Sequence, residues 1–169
     1  EPVVSALLRV GDEVFDLSVS EGDTVDGERR THLDGVLHID NVKKWWPHTH
    51  GTPHLYSASI SVEIANPADA GHAYENARVN IDLGHVGFRT VELDTADGDF
   101  GLYVNDARVF CRGACWSTTD IATLIGGAAD YMTALKLARD AGMNMLRMSG
   151  TMFYEDESFY EACDELGIL

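Results

Sequence analysis

The sequence predicts a mainly β chain that changes into a parallel α/β one: a β-sandwich over residues 1–96, then two βα units over residues 97–169. Two observations predict this. Up to Leu93, apolar residues come in short runs broken by turn residues, with alternation clearest where Ile60, Val62 and Ile64 face one way and Ser59, Ser61 and Glu63 the other. From Asp130 onward, helix-length patterns alternate with short apolar runs, the rhythm of parallel strands joined by right-handed crossovers. Residues 107–116 form the hinge between the two patterns.

Taken in order, strands are expected at residues 3–10, 14–19, 33–42, 55–64, 77–83 and 87–93, with turns at Gly11-Asp12, Glu21-Gly22-Asp23, Asp26-Gly27 and Asn66-Pro67. Strands at this spacing suggest a sandwich, and these are one or two short of a complete immunoglobulin-like one. Because Glu1-Pro-Val-Val reads as the middle of a strand, the chain is expected to begin inside a domain. Asp97-Gly98 is a strong hairpin signal and Asn105-Asp106 a weaker one, so residues 100–104 should pair with 108–111. Gly113 then lets the backbone pass close to a neighbour before Trp116 closes the segment. Asp130 can cap a helix through Tyr131, Leu135 and Ala138, with Gly142 placed to end it in the left-handed conformation. A strand at 143–148, a helix from about Asp156 to Leu166 stopped by Gly167, and the start of a third strand at Ile168-Leu169 follow. A closed eight-fold barrel needs about 250 residues, so this second domain is expected to be incomplete, with open strand edges that invite self-association.

The formal charge of -16, from 28 acidic against 12 basic residues, would repel phosphate backbones and anionic lipid. Nucleic acid and membrane are therefore poor partners, and no apolar run approaches the ~20 residues of a membrane-spanning helix. Held extended, Cys111 and Cys115 would stand about 13 Å apart, beyond the roughly 7 Å limit for a disulfide. A reducing compartment, the cytoplasm, is expected.

His48, His50 and His54 have a spacing that invites a metal reading, but no cysteine lies nearby and Pro47 and Pro53 suit a rigid turn, so no metal is expected. Asp156, Glu157, Asp164 and Glu165 are expected at the two ends of a surface helix as dipole partners and solvated charge rather than as an acid/base pair.

Five groups of residues occur in a telling order. They are Trp45-Trp46-Pro47 with Gly51 and Leu55-Tyr56; Gly87-Phe88-Arg89-Thr90; residues 100–104 with Asn105, Val109-Phe110, Gly113-Ala114, Trp116 and Asp120; Asn144-Met145-Leu146-Arg147; and Phe159-Tyr160 with Cys163-Asp164-Glu165-Leu166-Gly167-Ile168. Together they resemble the signatures of the β-mannosidase branch of glycoside hydrolase family 2.

The resemblance implies an immunoglobulin-like linker sandwich followed by the opening of a (β/α)8 TIM barrel. It also implies a retaining exo-β-glycosidase, without cofactor or metal, acting on terminal β-mannosides as its carbohydrate partner. In such enzymes one carboxylic acid protonates the leaving oxygen and a carboxylate about 5 to 5.5 Å away attacks the anomeric carbon. Both glutamates come from later barrel strands in the family, so no catalytic residue is expected in this segment and the segment alone is expected to be inactive. Arg147 matches an arginine at the barrel mouth near the nucleophile, where a fixed guanidinium keeps a carboxylate ionised and oriented. Trp116 ends the first barrel strand, either as part of the sugar pocket or as packing at the junction. Trp45 and Trp46 are expected to be structural, one inside the sandwich and one against a neighbouring domain.

Departures from the branch pattern concern the sugar site. Ser149 stands where a tryptophan is usual, Thr151 and Met152 where glycines are, Cys115 where asparagine is and Thr118 where proline is. A member acting on another β-glycoside such as a glucosaminide, and a non-catalytic carbohydrate-binding or structural sandwich, are the alternatives.

Overall fold

The structure, a computed structural model, describes residues 2–25, 27–66, 76–124, 126–150 and 153–169. The expected turns at Asp26-Gly27 and Asn66-Pro67 and the departures at Thr151 and Met152 include residues outside the described ones. The chain divides into two compact units, Glu1–Asn41 with Tyr56–Val86 and Val42–Leu55 with Gly87–Leu169. Residues 42–55 and 87–96, which the sequence pattern groups with the sandwich, cluster with the second unit.

The first unit is a five-stranded antiparallel sheet of order β3-β2-β1-β4-β5, built from β1 Val3–Val10, β2 Glu13–Val25, β3 Glu28–Asp34, β4 Tyr56–Ile64 and β5 Ala77–Val86. Register explains its apolar face. Ala6 pairs with Leu17 and Val62, and Leu8 with Phe15 and Ile60, while β5 continues the rows with Val79 and Ile81. Directly opposed residues share a face, so alternation along β1 and β4 becomes one continuous apolar surface, of which Ala6, Val10, Ala58 and Val62 are buried.

Two expectations fail here, for one reason. Glu21-Gly22-Asp23 is not a turn: β2 runs through it, with a shift in pairing to β3 between Glu21 and Thr24. A glycine inside a strand marks an irregularity or a close approach, and a Cβ on Gly22 would collide with the His32 ring. The chain therefore reverses later and the third strand is Glu28–Asp34, not 33–42. Its charged residues suit an edge strand, whereas Val36, which alternation would put in a strand, is 96% exposed.

The second unit opens with a three-stranded antiparallel sheet, β6 Val91–Asp94, β7 Gly101–Val104 and β8 Ala107–Val109. Both expected hairpins form. Asn105 and Asp106 take positive φ (51° and 70°) between β7 and β8, the backbone a tight two-residue reversal requires, whereas β6 and β7 are joined by a longer loop, residues 95–100, in which Asp97 and Gly98 take positive φ (55° and 80°) within a 3-10 turn. β9 Gly113–Trp116 and β10 Met145–Met148 then pair in parallel, joined through α1 Ala128–Asp140. A Cβ on Gly113 would collide with the Met145 carbonyl oxygen, so glycine sets how closely these strands approach. Gly142 (φ 82°) ends the first crossover helix and Gly167 (φ 71°) ends α2 Glu157–Leu166, while Asp156 caps α2 by accepting from Ser158 N. The chain end starts a third parallel neighbour: Leu146 N donates to Leu169 O at 2.7 Å and Leu169 N to Asn144 O at 2.8 Å. Tyr131 and Leu135 of α1, Phe159, Ala162 and Leu166 of α2, and Ile168 make the core, with Trp116, Leu146 and Met148 packed against it from the strands.

Candidate functional site

The parallel pair β9–β10 has a helix-covered face and an open one. Leu146 and Met148 pack on the helical core, so the pleat sends Met145 and Arg147 to the opposite face. A cleft of about 380 Å³ lies there, lined by Cys111, Gly113, Ala114, Cys115, Met145 and Arg147. Arg147 is exposed, and its Nη1 donates to Cys115 Sγ at 3.6 Å, its register partner on β9. Among the described residues no carboxylate forms an ion pair with it, and no Asp or Glu lines the cleft. A guanidinium so placed can hold an incoming carboxylate by paired hydrogen bonds, but the cleft has no acid/base pair of its own.

Trp116 lies on the other side. Its ring packs on Phe159 with centroids 4.8 Å apart, and its Nε1 donates to Glu155 Oε1 at 2.9 Å. The second Glu155 oxygen accepts from the Tyr131 hydroxyl at 2.7 Å, which itself accepts from Gly126 N at 3.1 Å. Burial and the Glu155 hydrogen bond push the Tyr131 hydroxyl up to about 12, so it remains a donor at neutral pH. The structure thus does not bring Arg147 and Trp116 together on one surface.

The remaining motif residues form a brace rather than a site. Trp45, 1% exposed, donates from Nε1 to Asp164 O at 2.8 Å, its N donates to Phe88 O at 2.9 Å, and its O accepts from Asn105 Nδ2 at 3.0 Å. The Arg89 guanidinium stacks 4.2 Å over the Trp45 ring and reaches Asp164 at 3.9 Å. Trp45 therefore belongs to the second unit and does not fill the sandwich interior. Nor is Asp164 ordinary solvated charge: burial raises its pKa while Arg89 opposes the rise.

His48 is a structural link, with its N donating to Gly167 O at 3.0 Å and its Nε2 to Met143 O at 2.8 Å. Among the described residues no three His, Cys, Asp or Glu side chains gather as a metal site requires. Asp120 ties its own turn, accepting from Ala122 N and Thr123 Oγ1, both at 2.8 Å, and these bonds hold its carboxyl below the usual range. Thr118 Oγ1 is buried without a hydrogen-bond partner among the described residues, a cost a proline there would not carry.

Asn144 is the buried hub of the brace. Its Oδ1 accepts from Arg112 N at 2.9 Å, and its Nδ2 donates to Thr49 Oγ1 at 2.9 Å and Phe110 O at 3.0 Å. Asn144→Ala takes this partner from Arg112 N, Phe110 O and Thr49 Oγ1, of which Thr49 Oγ1 keeps its contact with His50 Nδ1, and is expected to cost about 2–3 kcal/mol in denaturant unfolding. A change below about 0.5 kcal/mol would remove it from the brace.

A sequence profile of the family described as "Glycosyl hydrolases family 2" matches residues 4–89. The chain is 35% identical over 129 residues to Beta-mannosidase B of Aspergillus flavus, covering 74% of this chain and 14% of that protein. It is 32% identical over 182 residues to the Beta-mannosidase of Bos taurus, covering 99% of this chain and 19% of that protein. The crystal structure of Beta-D-Mannosidase from Dictyoglomus thermophilum superposes with a TM-score of 0.67 at 28% identity, over 98% of this chain and 20% of that one. The chain thus spans less than a fifth of the length of these curated relatives.

Proposed function

The chain belongs to the glycosyl hydrolases family 2, and from that premise we propose that it is a segment of a retaining exo-β-glycosidase acting on terminal β-mannosides. On this reading the first unit contributes to the linker sandwich and β9 and β10 are the opening strands of a (β/α)8 barrel. Arg147 projects from the open face near the carboxyl end of β10, where barrel enzymes build their sites, and holds a nucleophilic carboxylate ionised and oriented. That placement, an exposed guanidinium without a carboxylate partner among the described residues, is the observation that carries the reading. Both catalytic carboxylates lie outside the segment, so residues 1–169 alone have no hydrolase activity.

The test is a panel of aryl β-glycosides given to the whole protein. The mannoside is expected to be cleaved with the highest kcat/KM. Preference for a glucosaminide would assign the departures at Cys115 and Ser149 to a change of sugar, and no turnover of any β-glycoside would favour a non-catalytic carbohydrate-binding module.

Two further parts of the proposal concern the molecule's surroundings. A cytoplasmic location rests on Cys111, Cys115 and Cys163 all being free. Self-association of the isolated chain rests on the open edge of β9 and the open cleft face. Sedimentation is expected to show a mass that rises with concentration, and a monomer at high concentration that binds no hydrophobic dye would contradict it.

A further inference from the structure

Glu155 is the one nearly buried carboxylate among the described residues, at 9% exposure, and it has no cationic partner there. Its two oxygens are instead taken by two neutral donors from different elements, Trp116 Nε1 at 2.9 Å from the end of β9 and the Tyr131 hydroxyl at 2.7 Å from α1. Gly126 N, in the loop that leaves β9, extends the chain of bonds through the Tyr131 oxygen at 3.1 Å. A carboxylate accepts at both oxygens where an amide accepts at only one. Hydrogen bonds to an ionised acceptor are also about twice as strong as neutral ones.

Position gives this arrangement its meaning. β10 ends at Met148, the residue after Arg147, and Phe153 and Tyr154, which precede α2, are 65% and 73% exposed. Directly after them Glu155 turns inward, and Asp156 caps α2. The stretch between β10 and α2 is thereby pinned through the buried Glu155 side chain to Trp116 at the end of β9 and to Tyr131 of α1. Trp116 also faces Met148 in the parallel register, so the pin closes the loop back onto the strand end that carries Arg147.

We propose that Glu155 is a positioning residue: by binding Trp116 and Tyr131 it fixes the β10 loop and hence the placement of Arg147 at the rim of the sugar site. This rests on the glycosidase reading above. Glu155 faces the helical side and does not itself touch substrate. Its influence on the reaction passes through Trp116 and the loop.

The experiment compares Glu155→Gln, Trp116→Phe and the double variant in the whole protein, with kcat and KM on an aryl β-mannoside, thermal unfolding, and the rate of chymotrypsin cleavage after Phe153 and Tyr154. Trp116→Phe keeps an aromatic ring against Phe159 while removing the N–H donor together with part of the indole ring. Each single variant is expected to lower kcat at least tenfold with KM within threefold, to hasten cleavage of the loop, and to leave the unfolding midpoint within a few degrees. The double variant is expected to be no worse than the poorer single one, because both disrupt the same hydrogen-bonded unit of Glu155, Trp116 and Tyr131. The proposal is overturned if kcat stays within twofold in folded variants, or if the two losses multiply. Should Glu155→Gln fail to fold, Trp116→Phe decides by the same criteria. If the wild-type protein cleaves no β-glycoside, the glycosidase reading falls first, and unchanged loop cleavage in the variants would overturn the pin itself.

Discussion

Arg147→Ala in the whole protein is expected to lower kcat on an aryl β-mannoside a hundred- to a thousandfold, the usual cost of removing one preorganised electrostatic partner from an active site. The unfolding midpoint should hardly move, because Arg147 is exposed and its hydrogen-bond partner is the Cys115 sulfur at 3.6 Å; surface substitutions of this kind stay within about 0.5 kcal/mol. Arg147→Lys is expected to recover only part of the loss, since an ammonium keeps the charge without the planar fork that holds a carboxylate at two points. Initial-rate kinetics and thermal unfolding of the two variants check all three statements. A loss of activity accompanied by equal loss of fold would instead make Arg147 a structural residue.

Trp45→Ala carries the largest expected cost in stability, about 3–5 kcal/mol, as for a large aromatic removed from a packed interior. Trp45 is 1% exposed, lies beneath the Arg89 guanidinium, and its Nε1 donates to Asp164 O. Removing the ring opens a cavity and leaves Arg89 without the aromatic face it stacks on. Trp46 is only half-buried, so Trp46→Ala should cost clearly less. Denaturant unfolding of the two variants ranks them, and equal midpoints would mean that the brace around Trp45 does not limit stability.

These two residues also mark what local pattern reveals and what it hides. The helices were legible because their signals are adjacent in sequence: Asp156 before α2, and Gly142 and Gly167 in the left-handed conformation after each helix. The β7–β8 hairpin was legible from Asn105-Asp106 for the same reason. The third strand was not, because Gly22 sits within an irregular stretch of β2 and moved the reversal downstream, past the point where turn residues alone would put it. Asp164 looked like surface charge because its ion-pair partner Arg89 is distant in sequence, and the part Asn144 plays as a hub was hidden because Thr49 is 95 positions away. Glu155 had no signal at all beyond a single acidic residue before a helix cap. As for the candidate site, the motif singled out Arg147, whereas the side to which Trp116 points was not legible. A strand of four residues offers too little alternation to tell its two faces apart, and only the helices packed on Leu146 and Met148 define them.

On the function proposed above, this chain supplies the rim of a glycosidase site and not its acid/base machinery. The direct measurement is the kcat for aryl β-mannoside hydrolysis of three preparations side by side: the whole protein, the whole protein with Arg147→Ala, and residues 1–169 alone. Turnover is expected from the first, a hundredfold or greater loss with intact fold from the second, and none from the third. Equal turnover by the first two, or any by the third, would contradict the proposed function.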